Sequence, residues 1–127
     1  REHIIRAAQE SIAYQVNDLL TAMKRDTGVA LSSLSVDGGA SRDSFLMQFQ
    51  ADISNCTIRR PVIRETTALG ACYLAGLATG VWSSRDELKE LWRCDTLYAP
   101  SMEDEKRNRL LNGWDKAVGR SLDWAEH

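Results

Sequence analysis

Hydrophobic residues in the opening segment recur every three or four positions, with charged and amide side chains between them. This spacing puts the apolar side chains on one face and predicts a long amphipathic helix. Gly28 follows the last of these positions and is predicted to end the helix as a C-cap. Because the helix starts at once and no methionine precedes Arg1, we expect further sequence before it. The hydrophobic set is Ile4, Ile5, Ala8, Ile12, Val16, Leu19, Leu20 and Met23.

Two strands with a helix between them are predicted next. From Leu31 to Val36 apolar residues alternate with serine, which is typical of a short strand with one buried face. Apolar residues then recur at helical spacing from Phe45 to Ile53, and Ser41 is the predicted N-cap of that helix. The second strand candidate is CTIRRPVI, residues 56–63, where Pro61 lacks an amide hydrogen and pushes that end of the strand to a sheet edge or past the ladder.

Three more helices are predicted after the second strand. Residues 68–78 are apolar or small all the way round, which predicts a helix buried on all sides, capped by Thr66 or Thr67 and stopped by Gly80. Ser84 and Glu87 have the spacing of a capping box for a short helix that includes Trp92. The last helix is predicted to open at Ser101 and Asp104, and its apolar stripe is Leu110, Leu111, Trp114, Ala117, Val118, Leu122 and Ala125.

The order of these elements predicts a helix-rich α/β fold with about two parallel strands and five helices, forming a single domain over residues 1–127. Two strands joined through a helix run parallel, because the crossover uses the helix. A two-stranded parallel sheet is a poor structure by itself, since parallel sheets are buried on both faces within larger sheets. Upstream sequence or a partner must supply further strands, or the helices alone must supply the stability.

Composition and charge exclude several classes of protein. The 127 residues carry 16 basic and 18 acidic side chains, and the basic ones are scattered, so nucleic acid is not an expected partner. No apolar run is long enough to insert into a membrane, and the opening residues do not resemble a signal peptide. The 3 cysteines form no CxxC pair and have no histidine nearby, which gives no sign of a metal site or a disulfide framework and favours a cytoplasmic protein.

The candidate binding feature is Asp37-Gly38-Gly39, at the point where the first strand leads into a helix. Ligands gather at the carboxyl ends of parallel strands, and glycine lets a ligand lie against the backbone. The alternative is that the glycines only turn the chain. Neither GxGxxG nor GxxxxGK[ST] is present. Asp43 lies in the expected first helical turn, where its carboxylate would repel phosphate, so a nucleotide would present its base or sugar here.

Three separated motifs resemble one known family. They are LSVDGGASRDSFLMQFQADI (34–53), RPVIRETTALGACYLAGLATGVW (60–82) and RNRLLNGWDKAVGRSLDW (107–124). In this order they are similar to the C-terminal part of the glycerol kinases, within the FGGY family of carbohydrate kinases. The resemblance covers nearly the whole chain.

The resemblance implies a fold, an activity and a set of binding residues. The fold is the last part of an actin-like, ribonuclease-H-like ATPase domain, the second and nucleotide-binding one, which follows a missing N-terminal domain. The activity is transfer of the γ-phosphoryl group of ATP, with magnesium, to glycerol, giving glycerol 3-phosphate and ADP. Gly39 matches the family glycine beside the adenosine part of the nucleotide, and Gly38 and Ala40 shape the same turn. Asp43 departs from the family's usual asparagine near the adenine, and as a carboxylate it can accept but not donate a hydrogen bond.

The resemblance also implies that the catalytic aspartate, the glycerol-binding residues and the metal ligands lie upstream, so this chain alone is expected to be inactive. One alternative is a non-catalytic interaction module that docks or self-associates through the surface around Trp92, Trp114 and Trp124, although tryptophans at helical spacing more often pack in cores. Another is a different sugar or polyol kinase of the same family.

Overall fold

The computed structural model describes residues 1–63, 65–91 and 93–123. Predictions placed on Trp92 and Trp124 therefore lie outside the described residues. The described part contains five α-helices, three strands and one short 3-10 helix. In chain order these are α1 (Glu2–Thr27), β1 (Ser33–Ser35), the 3-10 helix (Gly39–Arg42), α2 (Ser44–Ser54), β2 (Thr57–Pro61), α3 (Thr66–Thr79), α4 (Arg85–Leu91), β3 (Cys94–Tyr98) and α5 (Asp104–Ser121).

The strands form one mixed sheet in the order β1-β2-β3. β1 and β2 are parallel, with Leu34 opposite Ile58, as the intervening helix predicted. β3 is antiparallel to β2, and the pairing shifts register between Arg60 and Pro61, where proline has no amide to donate. Because β1 and β2 are parallel, their carboxyl ends lie at the same edge of the sheet.

The two predicted parallel strands are confirmed as β1 and β2, and the sheet also contains a third strand, β3, that was not predicted. Its burial along residues 94–98 does not alternate, and only Tyr98 is buried. The strand therefore has no period-two pattern to detect in the sequence. It exists because β2 offers it a pairing partner more than thirty residues away along the chain. The helix-rich α/β class and the five helices are confirmed.

The hydrophobic core lies between α1, α2, β2, the end of β3 and the first two thirds of α5. Tyr14 of α1 connects these layers, because its ring packs edge-to-face on Phe49 with centroids 5.5 Å apart and stacks on Trp114 at 5.1 Å. Trp114 also donates a hydrogen bond of 2.7 Å to Asp18. Trp114 therefore packs within this chain. The buried apolar residues are Ala13, Tyr14, Leu46, Met47, Phe49, Ala51, Ile53, Cys56, Ile58 and Tyr98.

The prediction that the apolar helix is buried on all sides was wrong for this chain. In α3 only Gly76 is buried, and Leu74 is 70% exposed. Its main contact is with Trp82, whose ring lies over Gly76 and meets Tyr73 edge-to-face at 5.2 Å. An all-apolar surface shows that a helix needs neighbours on every side, and the described residues supply them on one side only. Within the described residues, no helix combines the length and the apolar character needed to cross a membrane.

Candidate functional site

The junction between β1 and α2 contains all three predicted site residues, Gly38, Gly39 and Asp43. We call residues 37–43 the glycine turn. The amide of Val36 still donates to the carbonyl of Arg59 at 3.1 Å, so the turn leaves the sheet at the carboxyl edge of β1. The structure thus places the turn at the sheet edge where open parallel sheets bind ligands.

Gly38 is a glycine for a conformational reason. Its φ of 75° and ψ of −174° belong to a region that essentially only glycine adopts. A β-carbon built on Gly38 would meet nothing within 4 Å, so packing imposes no further demand. The residue reverses the chain between the strand and the 3-10 helix.

Neither backbone conformation nor packing explains the glycine at position 39. It begins the 3-10 helix and is not among the residues with positive φ. A β-carbon there would also meet nothing within 4 Å. Neither backbone geometry nor packing against the described residues requires glycine here, so the Gly39 backbone is open to close approach at the carboxyl edge of the sheet.

Asp43 is the N-cap of α2, so the prediction that Ser41 caps this helix was wrong. One carboxylate oxygen of Asp43 accepts hydrogen bonds from the amides of Phe45 at 2.9 Å and Leu46 at 3.1 Å. The other oxygen accepts a hydrogen bond from the side-chain amide of Gln9 in α1. The carboxylate therefore lies at the positive end of the α2 dipole, where a negative charge is stabilised.

Ser41 is buried beneath the turn and stabilises it through hydrogen bonds, and it does not cap α2. It is 1% exposed, and its hydroxyl donates to the carbonyl of Gly38 at 2.7 Å. Its own carbonyl accepts a hydrogen bond from the guanidinium of Arg60 at 3.3 Å. At the far end of the turn, the hydroxyls of Ser44 and Tyr98 are hydrogen-bonded at 3.1 Å. At its start, Asp37 accepts a hydrogen bond from Thr66 of α3.

The sequence pattern did not predict the residues that support the turn, which are Gln9, Arg60 and Tyr98. Each lies on a different element, and each reaches the turn from at least nineteen positions away. No local motif marks such contacts, because only the folded chain brings them together. The sequence signal was confined to the glycines and Asp43.

Two titratable groups have shifted pKa values, and both lie in the core. Burial raises the pKa of the Cys56 thiol. Burial, reinforced by the nearby Glu10 carboxylate, raises the pKa of the Tyr14 hydroxyl. In the parts of the chain that the structure covers, no group of three or more His, Cys, Asp or Glu residues could hold a metal ion. The glycine turn presents backbone groups and the carboxylates of Asp37 and Asp43.

Comparison with known proteins identifies the class of protein to which this architecture belongs. The model of the C-terminal domain of the FGGY family of carbohydrate kinases matches residues 1–79, which include the whole glycine turn. The chain belongs to the FGGY family of carbohydrate kinases. The resemblance deduced from the sequence motifs is confirmed.

The most similar proteins found are glycerol kinases. The chain is 59% identical over 126 residues to a glycerol kinase from Caldanaerobacter subterraneus and 61% identical to one from Clostridium botulinum strain Alaska E43. Each match covers 99% of this chain but only 25% of the relative's length. The chain is therefore similar to one quarter of these enzymes.

Solved structures confirm the fold. A crystal structure of Plasmodium falciparum glycerol kinase with ADP superposes with a TM-score of 0.84 at 39% identity, covering 97% of this chain and 25% of that one. A xylulose kinase from Lactobacillus acidophilus superposes with a TM-score of 0.73 at 23% identity, over 93% of this chain. The second likeness is one of fold alone.

Proposed function

We propose that this chain forms the adenosine side of the ATP site in a glycerol kinase, and that the whole protein phosphorylates glycerol to glycerol 3-phosphate. The observation that carries the proposal is a glycine, Gly39, at the carboxyl edge of two parallel strands, where no described residue lies within 4 Å of a β-carbon built on it. A nucleotide lying against its backbone would explain it. Support comes from the glycerol kinase relatives and from the similar enzyme whose structure contains ADP.

The three residues of the site have different roles in this proposal. Gly38 sets the direction of the backbone through its glycine-only conformation. Gly39 gives the sugar or base close access to the main chain. Asp43 presents a carboxylate already fixed by two amides and Gln9, and it accepts a hydrogen bond from the adenine amino group.

The phosphates face away from this turn in the proposed site. The Asp43 carboxylate neutralises the positive end of α2 that would otherwise attract an anion. Phosphoryl transfer depends on positioning and on stabilising the negative charge of the transferred group. The magnesium ligands, the catalytic base and the glycerol-binding groups belong to the rest of the full-length kinase in this account, and the isolated chain is inactive.

The decisive test compares two glycine substitutions in the full-length protein. Gly39→Val places a branched side chain where the nucleotide would lie, and Gly119→Val serves as the control because a β-carbon there also meets nothing within 4 Å. Overpacking at a binding surface weakens binding by roughly tenfold or more. We expect isothermal titration calorimetry to show a raised Kd for ADP in Gly39→Val and an unchanged one in Gly119→Val. An unchanged Kd in both would overturn the proposal.

A further inference from the structure

We propose that Arg60 is a positioning residue for the nucleotide site, because it fixes the glycine turn in its binding shape without touching the ligand. Arg60 lies on β2, one residue before Pro61, and its side chain is only 11% exposed. The inference rests on the proposed role of the glycine turn in binding the adenosine part of a nucleotide. It adds a residue from a different element, outside the turn itself.

The Arg60 guanidinium joins β3 to the glycine turn. Its Nε and Nη2 donate to one oxygen of Asp95 at 3.1 and 2.9 Å, and Nη2 also donates to the Thr96 hydroxyl at 2.8 Å. Nη1 points the other way and donates to the carbonyl of Ser41 at 3.3 Å. The guanidinium carbon lies 5.4 Å from the centre of the Tyr98 ring, which packs against its face. One side chain thus makes a fixed bridge between the third strand and the turn.

The contact with Ser41 leads directly to the glycines. Ser41 is buried, and its hydroxyl donates to the carbonyl of Gly38 at 2.7 Å. A continuous chain of hydrogen bonds therefore runs from Asp95 through Arg60 and Ser41 to Gly38, the residue before Gly39. If this chain is broken, the 3-10 helix loses the hydrogen bond that links Ser41 to β2, and Gly39 can move relative to α2.

Arginine is required here because of its shape. Its planar fork donates in several fixed directions at once, which lets Asp95 and the Ser41 carbonyl be satisfied together. The lysine ammonium is a single point charge and can pair with Asp95 but cannot also span to Ser41. Arg60→Lys is therefore expected to keep the charge pair between β2 and β3 while releasing the turn. Arg60→Lys therefore distinguishes an effect on the shape of the glycine turn from an effect on the pairing of β2 with β3.

The test uses the full-length kinase with Arg60→Lys and, as a control for loss of an arginine, Arg25→Lys, whose side chain is 81% exposed at the end of α1. Loss of a charge-assisted hydrogen bond that holds a site in place corresponds to roughly tenfold in affinity. We expect Arg60→Lys to raise KM for ATP by about that factor, with KM for glycerol unchanged and only a small fall in the melting temperature. Arg25→Lys should leave all three values as they are.

Two results would overturn the inference, and the Gly39→Val variant shows whether the proposed function fails with it. An ATP KM equal to wild type in Arg60→Lys would show that the link to Ser41 has no effect on the site. Equal rises in both KM values with a lowered melting temperature would show a merely structural role. If Gly39→Val weakens ADP binding while Arg60→Lys does not, the proposed function stands and only the role of Arg60 fails. If neither variant affects nucleotide binding, both fail.

Discussion

Alanine substitutions at the two adjacent glycines should change stability in opposite directions. Gly38 has a φ of 75° and a ψ of −174°, so Gly38→Ala forces a side chain into a region that costs about 1–3 kcal/mol. No clash adds to this value, since a β-carbon at Gly38 meets nothing within 4 Å. The full cost is therefore conformational.

Gly39→Ala should stabilise the protein without ligand. Gly39 is in the 3-10 helix, without positive φ, and has the same open space around a β-carbon. Alanine then restricts the unfolded chain more than the folded one, which is worth about 0.4–1 kcal/mol. The two variants should consequently differ by about 1.4–4 kcal/mol although they are neighbours in sequence.

The assay is denaturant unfolding of the full-length protein without nucleotide, followed by circular dichroism, with both variants and wild type measured under the same conditions. Gly38→Ala should unfold at a lower denaturant concentration than wild type, and Gly39→Ala at the same or a slightly higher one. Equal destabilisation by both changes would refute the reasoning. It would mean that Gly39 is also required by the chain's own backbone and that its glycine says nothing about a ligand.

Four further expectations follow from the described contacts. Asp52→Ala should destabilise the protein by about 3 kcal/mol in denaturant unfolding, because the buried Asp52 carboxylate accepts hydrogen bonds from two backbone amides just before α5. Asp52→Asn keeps an acceptor oxygen and should cost less. Gly76→Ala should lower the melting temperature and change the fluorescence of Trp82, since the new β-carbon would lie 2.0 Å from its ring. Burial raises the pKa of the Cys56 thiol above its ordinary value, so the folded state holds that proton more tightly and the free energy of unfolding should fall as the pH rises past the pKa of the unfolded thiol. Iodoacetamide should label Cys56 far more slowly in folded than in urea-unfolded protein. Asp43→Asn should keep the cap of α2, because asparagine is also a good N-cap residue. It should bring the Kd values for ADP and GDP closer together in calorimetry, because an amide can donate a hydrogen bond to the guanine oxygen whereas a carboxylate repels that oxygen.

Local patterns were enough to predict the parts of the fold that depend on local physics. The amphipathic period of α1 ends at Gly28, which adopts a left-handed φ of 71° as a C-cap glycine does. The strand-helix-strand order correctly gave the parallel pairing of β1 and β2. The capping box before α4 is present in part, since the Ser84 hydroxyl accepts from the amide of Glu87, although the Glu87 carboxylate binds Ser83.

The errors share one physical cause, which is dependence on distant partners. Ser41 and Asp43 are both good N-cap residues by type, and only the folded turn decides that Ser41 bonds to Gly38 while Asp43 caps α2. β3 forms through pairing with β2, and its own pattern does not show it. In α3 only Gly76 is buried among the described residues, so the apolar composition of the helix predicted too much burial.

The candidate site also contains residues that a local pattern predicts and residues that only the fold brings together. Gly38, Gly39 and Asp43 were visible because a strand end followed by two glycines is a recognisable local pattern. The supporting contacts of Gln9 and Arg60 could not be predicted, because no spacing in the sequence shows which helix and strand side chains will contact a distant turn. The sequence therefore indicates where a ligand would lie, and the structure adds how the turn is held.

The most direct test of the central claim is hydrogen–deuterium exchange of the full-length protein with and without ADP, using GDP as the control nucleotide. The account predicts that ADP slows exchange in peptides covering residues 37–46, with a smaller effect from GDP and no change in peptides from α5. Protection that appears only elsewhere in the protein, with residues 37–46 exchanging at the same rate in saturating ADP, would contradict the assignment of the glycine turn to the nucleotide site.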